Sequence, residues 1–353
     1  MDIETKIELV KKKPTEEIVT EKELRELFET KEHPKHYIGF EVSGLVHLGT
    51  GLCTALKIKD FMKAGIKPTI WLADYHSWIN EKLGGDLEKI RKVAGGYFKH
   101  AFISLGLPED KVEYLLASKL YDQDYWATVL NIARKTTVQR MTRCVTIMGR
   151  KESESLYSAS LFYPAMQAAD IFMLDVDIAH AGMDQRKAHM LAREAGQKMG
   201  KKFVAVHGHL LPSLKGVERM DATEEEKIDA KMSKSKPESC IFIHDSEEEI
   251  KNKIKKAYCP EKLTEGNPIY EMAEYLILRD KPLKIERPSK FGGDLEIATA
   301  EEFSKEYSSG KLHPMDLKNT VQMELIEMLK PSREYFEKHK EYLEQLKVKD
   351  ITR

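Results

Sequence analysis

Cysteine is scarce and scattered. Cys53, Cys144, Cys240 and Cys259 are the only four in 353 residues, and none forms a C-x-x-C pair. That excludes a disulfide framework and a cysteine-held structural zinc, and it points to reduced thiols in a cytoplasmic setting. Long apolar runs are missing too: no stretch approaches the roughly 20 residues that span a bilayer, so no membrane association is expected. The charged segment from Met1 to Lys13 lacks a signal-peptide core. Net charge is −1, so no global field recruits nucleic acid and any basic surface must be local. Internal repeats and low-complexity tracts are absent.

What remains is a globular composition, 41% hydrophobic and 33% charged, in a chain long enough for two domains. "EKELRELFE" (21–29) reads as an amphipathic helix capped by Thr20. "HYIGF", a helix ending at Gly65, and "TIWLADYH" (69–76) then make a strand–helix–strand unit, which implies a parallel sheet. "VEYLLAS" (112–118), "VDIAHAG" (176–182) and "FVAVHG" (203–208) add strands. The expected fold is α/β: a Rossmann-like parallel-sheet domain over 1–230 with a helical insertion at about 121–165, a connector at 231–244, and a mainly helical domain over 245–353.

The turn between "HYIGF" and its helix holds Gly44, His47, Gly49 and Gly51. A glycine-rich turn leaving a parallel strand and opening a helix suits phosphate, because the backbone comes close and free N–H groups point outward. It matches neither G-x-x-x-x-G-K-S/T nor G-x-G-x-x-G, so it is neither a P-loop nor a dinucleotide fingerprint. A helix-capping histidine is the plainer alternative. "AKMSKSKP" (230–237) gathers Lys231, Lys234 and Lys236 with Ser233 and Ser235, as a developing triphosphate charge requires; a solvated charge run is its plainer alternative. "YPAMQAAD" sets Tyr163, Gln167 and Asp170 on one helix stripe amid apolar neighbours, which suggests a cavity wall rather than a solvent-facing stripe. His189 and "HGH" (207–209) carry no metal pattern. No acid interrupts Tyr125 to Lys151, where Arg134, Lys135, Arg140, Arg143, Arg150 and Lys151 form a candidate basic surface for RNA.

Together, H-x-G-x and K-M-S-K-S resemble the two motifs of class I aminoacyl-tRNA synthetases. "YIGFEVSGLVHLGT", "AGMDQRKAHMLARE", "RPSKFGGDL" and "KLHPMDLKN" are similar to the tyrosyl-tRNA synthetases of the archaeal and eukaryotic type, across residues 37 to about 330. The resemblance implies a tyrosine–tRNA ligase using ATP and Mg²⁺, acting on tRNA(Tyr) and L-tyrosine as a homodimer. It assigns phosphate chemistry to His47, Lys231 and Lys234, with Thr50 standing where the family has a second histidine. It further implies that Tyr37 and Asp170 flank the phenol, that Tyr163, Gln167 and Gln185 hold the ammonium, and that Asp74 lies near it. Gly39, Glu41, Gly49, Gly182, Asp184 (toward ribose), Met232 and Ser233 complete the ATP set. Arg143, Arg186 and Lys187 would meet the acceptor stem, and Phe291 and Asp316 the anticodon. Val129, Ile132, Val138 and Ile147 permit a dimer contact. A tryptophan-specific relative, a smaller-substrate nucleotidyltransferase and an inactive RNA-binding relative are the rival readings; the Tyr37–Asp170 pair disfavours the first.

Overall fold

The computed structural model describes residues 1–150, 155–216, 231–233 and 236–346. The chain forms two compact units that do not follow a single cut. The first comprises Met1–Gly44, Leu56–His209 and the chain from Glu341; the second comprises Leu45–Ala55 and Leu210–Lys340. The glycine-rich turn therefore belongs with the C-terminal half, although the sequence groups it with the strands that flank it.

The first unit is built on a six-stranded sheet: β1 (Thr15–Val19), β2 (Lys35–Phe40), β3 (Lys67–Leu72), β4 (Glu113–Leu116), β5 (Ile178–Gly182) and β6 (Val204–Gly208). Their order is β1-β6-β5-β2-β3-β4. Strands β2 to β6 pair in parallel, as expected for buried, apolar strands with helical crossovers. Strand β1 corrects the all-parallel expectation: it runs antiparallel along β6 at the edge, where a charged sequence such as "TEEIV" is tolerated. The expected strand through His76 ends at Leu72, and a helix starts at Asp74. Crossovers leave β2 toward β3 on one side and β5 lies on the other. The carboxyl ends of β2 and β5 thus form the crevice where open α/β sheets receive ligands.

The capping box predicted at Thr20 is present, with Glu23 reaching back to the Thr20 N–H. Lys57, fully buried, donates to the carbonyls of Leu9, Val10 and Lys12 and pairs with Asp60 at 3.4 Å. It thereby satisfies the orphan carbonyls that end the helix Ile3–Lys11. The last described residues close on the same unit: Tyr342 stacks on His100 at 3.8 Å. The Gln345 amide oxygen accepts from the Tyr97 N–H and fills the space a Cβ on Gly96 would need.

The second unit is mainly helical, as predicted: Glu247–Lys256, Pro268–Met272, Ala300–Ser308 and the 25-residue helix Pro314–Lys338. A small hairpin, β7 (Leu283–Ile285) with β8 (Leu295–Ile297), was not legible in the sequence. No described helix is long and apolar enough to cross a membrane.

Four histidines sit in the sheet core of the first unit. His36 on β2 meets His180 on β5 at 3.3 Å, and His189 meets His207 on β6 at 3.0 Å. In each pair one ring must donate and the other accept, so at least one ring of each pair is neutral. Burial holds His36 down to about 3 and puts His180 and His189 well below the usual value. The unfolded chain takes up protons below roughly pH 6.5 while the folded chain does not, so their stabilising effect is full above that pH and is lost as pH falls toward 3. Stability should drop by about 1.4 kcal/mol per pH unit for each such histidine. Urea midpoints between pH 7 and 4.5 should show this, with a shallower slope in His36→Leu; an equal slope would remove the assignment.

Candidate active site

The helix Tyr163–Met173 begins with Pro164 in its first turn and is buried nearly all round. Its polar stripe therefore faces the interior, and the solvent-facing alternative does not hold. Asp170, 1% exposed, is the centre of that stripe. Its Oδ1 accepts from the Tyr121 hydroxyl at 2.8 Å and its Oδ2 from Trp71 Nε1 at 3.1 Å. Burial pushes the Asp170 carboxyl well above the usual range, and hydrogen bonds from Tyr121, Tyr125 and Trp71 pull it back. The buried Tyr37 shares the same apolar cluster. Its hydroxyl lies where a Cβ on Gly39 would be, 2.5 Å away, so Gly39 exists to admit the Tyr37 phenol.

At the other end of the stripe, the Tyr163 hydroxyl donates to Glu41 at 2.8 Å, and Glu41 also receives Asn80 Nδ2 at 2.7 Å and Lys82 at 3.3 Å. Gln167 donates to Gln185 at 3.4 Å, and Gln185 in turn donates to the Ile147 carbonyl at 2.9 Å. Gln167 Oε1 is buried with no partner. A buried unpaired amide oxygen costs roughly 1–3 kcal/mol and is an acceptor waiting for a donor. Asp74 is otherwise committed: Oδ2 accepts from Arg91 at 3.1 Å and Oδ1 from the Ser118 N–H at 2.9 Å. Sequence reasoning passed over His76, which lies edge-on to Tyr163 at 4.5 Å and 3.8 Å from Asp170, with both ring nitrogens buried and unpartnered. It also passed over Trp71, Tyr121 and Tyr125, whose apolar setting reads as ordinary core.

The second unit holds the turn. Leu48 N–H donates to Ile241 O, and Ile243 N–H to Val46 O, so the turn is pinned by the chain that follows the lysine loop. His47 Nδ1 accepts from the Gly49 N–H at 3.2 Å. The neutral ring therefore carries its proton on Nε2, which faces the Thr50 hydroxyl at 3.2 Å. Thr50 then accepts that proton's hydrogen bond, which leaves its own hydroxyl proton available for another acceptor. Met232 is buried and its N–H donates to Leu211 O, which anchors Lys231 and Ser233 beside it. Lys234 lies outside the described residues.

Asp184 sits in a short turn after Gly182, at the end of β5, and the helix Arg186–Met199 that follows has no side-chain cap. Several basic residues are spent inside the unit. Arg186 grips Glu17 as a fork, at 2.7 and 2.9 Å, and Arg140 grips Glu194 at 2.8 and 3.2 Å. Arg143 is exposed, and Lys187 is partly exposed. Of the apolar positions expected at a dimer contact, Val129, Ile132 and Ile147 are buried in the core; only Val138 is exposed, alongside Trp126 and Leu130. In the second unit, Asp316 lies in the first turn of Pro314–Lys338, which is capped by His313. Phe291 ends a short turn, and its side chain lies outside the described residues.

A family model described as tRNA synthetases class I (W and Y) matches residues 29–330. Tyrosine–tRNA ligase of Thermococcus kodakarensis is 54% identical and that of Pyrococcus abyssi 52%, each over all of both chains. A tyrosyl-tRNA synthetase of Pyrococcus horikoshii, solved with L-tyrosine, superposes with a TM-score of 0.91 at 51% identity, covering 98% of this chain and 99% of that one. A tryptophanyl-tRNA synthetase of Aeropyrum pernix shares the fold at 19% identity and a TM-score of 0.66, covering 93% of this chain and 84% of that one.

The Glu17–Arg186 fork is open to a direct check. The Arg186 hydrogen bond holds the Glu17 carboxyl below its ordinary value against a smaller opposing effect of burial. The pair's contribution is therefore present above the ordinary glutamate pKa and lost as pH falls through the lowered one. A double-mutant cycle of Glu17→Gln and Arg186→Gln should give a coupling of about 1 kcal/mol or less at pH 7, the range for partly exposed pairs. The coupling should vanish in acid; a coupling that persists there would contradict the assignment.

Proposed function

The chain belongs to the class I tRNA synthetases of the tryptophan and tyrosine type, and from that premise we propose how its own residues carry the reaction. It is a tyrosine–tRNA ligase: it activates tyrosine with ATP and passes it to tRNA. The observation that carries the residue assignment is the buried polar stripe, ending in a hydrogen-bonded carboxylate at Asp170 and an unpartnered amide oxygen at Gln167. The phenol lies between Tyr37 and Asp170, donating to the carboxylate and accepting from the Tyr37 hydroxyl. An indole offers one donor and no acceptor, so it leaves Tyr37 unanswered. Phenylalanine leaves both unanswered, a discrimination known for tyrosine-activating enzymes as a class. The ammonium is taken by Tyr163, Gln167 and Gln185, with Glu41 behind Tyr163; Asp74 acts through its negative charge while bonded to Arg91.

The tyrosine carboxylate attacks the α-phosphorus of ATP in line. An O–P bond forms, the bond to the bridging oxygen breaks, and pyrophosphate leaves. No enzyme nucleophile is needed, so the protein contributes position and charge. Thr50 donates its hydroxyl proton to a phosphate oxygen while His47 fixes its orientation. The backbone at Gly49 and the side chains of Lys231, Ser233 and Lys234 meet the negative charge that builds on the leaving group, with Met232 as the loop's buried anchor. Gly39, Glu41, Gly182 and Asp184 receive the adenosine, Asp184 through the ribose hydroxyls. Among the described residues no three His, Cys, Asp or Glu side chains converge on a metal position. The described residues thus present no such cluster for Mg²⁺, which would arrive with the ATP phosphates. A hydroxyl of the terminal tRNA adenosine then attacks the tyrosyl carbonyl and AMP leaves.

Arg143 and Lys187 approach the acceptor stem, and Arg186 joins them by exchanging Glu17 for phosphate. Phe291 and Asp316 address the anticodon, the carboxylate accepting from a Watson–Crick edge. The four thiols, none of them disulfide-bonded, fit a cytoplasmic enzyme. A homodimer would cover Leu130 and Val138, which are 60% and 71% exposed on the two helices of the insertion.

Pyrophosphate exchange across the twenty amino acids should respond to tyrosine. In single-turnover assays His47→Ala and Lys231→Ala should each slow adenylate formation about a hundredfold, with little change in tyrosine affinity; wild-type rates in both would remove these roles. Sedimentation should find a dimer that Leu130→Asp converts to a folded monomer, and a variant that stays dimeric would move the interface elsewhere.

A further inference from the structure

We infer that Tyr121 and Trp71 are positioning residues for tyrosine selection: they hold the Asp170 carboxyl group in place as an acceptor with one edge left for the substrate phenol. This rests on the reading that Asp170 receives that phenol. Tyr121 comes from the loop between β4 and the helix Gln123–Arg134, and Trp71 from β3. Neither carries a motif. They reach the two different oxygens of one carboxylate, at 2.8 and 3.1 Å. A carboxylate has about four lone-pair positions, so the Tyr121 and Trp71 donors, with Tyr125 beside them, leave room for one more.

Both donors are rigid. The Tyr121 ring stacks on Tyr125 at 3.7 Å and 10°, with Trp71 and Tyr75 rings 6.0 and 5.7 Å away. Trp71 is fully buried and registers opposite Gly39 of β2. Such a frame is needed because the surroundings favour a neutral acid. Asp74 adds like charge, and the phenols of Tyr37, Tyr125 and Tyr163 are un-ionised. His76, 3.8 Å away, is held neutral by burial, its pKa down to about 4, so it brings no counter-charge. A neutral carboxyl can donate as well as accept and no longer demands a donor from its ligand; hydrogen bonds from Tyr121 and Trp71 favour the ionised form that does.

Tyr121→Phe removes one hydroxyl and leaves the stack. In pyrophosphate exchange, kcat/KM for tyrosine should fall tenfold or more, as for a lost hydrogen bond to a charged group. The loss should lie mainly in KM, with KM for ATP unmoved and phenylalanine activation not reduced. The tyrosine-to-phenylalanine ratio comes from one preparation, so it does not depend on the fraction folded. An unchanged ratio overturns the inference, and so does a lower KM for tyrosine, which would mean that the Tyr121 hydroxyl competes with the substrate. Asp170→Asn separates the two levels. If it collapses the ratio while Tyr121→Phe leaves it intact, only the positioning role fails; if it leaves the ratio intact, the phenol slot itself is wrong.

Discussion

A carboxyl group buried between the parallel sheet and an apolar helix is the constraint on which the proposed substrate slot depends. Keeping such a group ionised away from water costs several kcal/mol even after relaxation; burial accordingly pushes the Asp170 pKa well up, and no cation stands among its described hydrogen-bonding partners. The cost is offset by neutral donors, and those donors dictate much else. Tyr121 must stack on Tyr125, Trp71 must emerge from β3 on the slot side, and Gly39 must lack a side chain so that Tyr37 fits. The acceptor is thus the keystone of a rigid aromatic frame, and in the proposed slot that rigidity is what lets a single hydroxyl be recognised.

The phosphate-facing part follows a different rule. The proposed reaction needs no attacking side chain, so what it asks of the second unit is backbone N–H groups, a tethered imidazole and lysines. His47 illustrates the economy of the arrangement. One nitrogen is fixed by the Gly49 backbone, which forces the proton onto the other, which orients Thr50. A threonine in place of a second histidine then keeps a directed donor without a titratable group.

Charge counting along the chain does not show which of the basic residues proposed to face RNA are already paired. Arg140 and Arg186 stand in acid-poor or motif-rich stretches, yet each is gripped by a glutamate distant in sequence, Glu194 and Glu17. Ion pairing between remote segments is invisible to a linear scan. So is burial: Val129 and Leu130 are adjacent and equally apolar, yet one is sealed in the core and the other faces outward.

Local chemistry was readable wherever a few neighbouring residues decide the outcome. The capping box at Thr20, the Pro164 helix start, the i, i+4, i+7 polar stripe and the glycine turn with its histidine all follow from spacing and residue type. Strand β1, the β7–β8 hairpin, the four-histidine core and the Tyr121–Asp170–Trp71 frame did not, because each joins segments far apart in the chain, and pairing partners carry no label in sequence. The amino-acid order by itself determined which groups could do the chemistry. Only the tertiary structure decided which of them are desolvated and which are already bonded to one another, because burial and hydrogen-bond completion are properties of what surrounds a side chain.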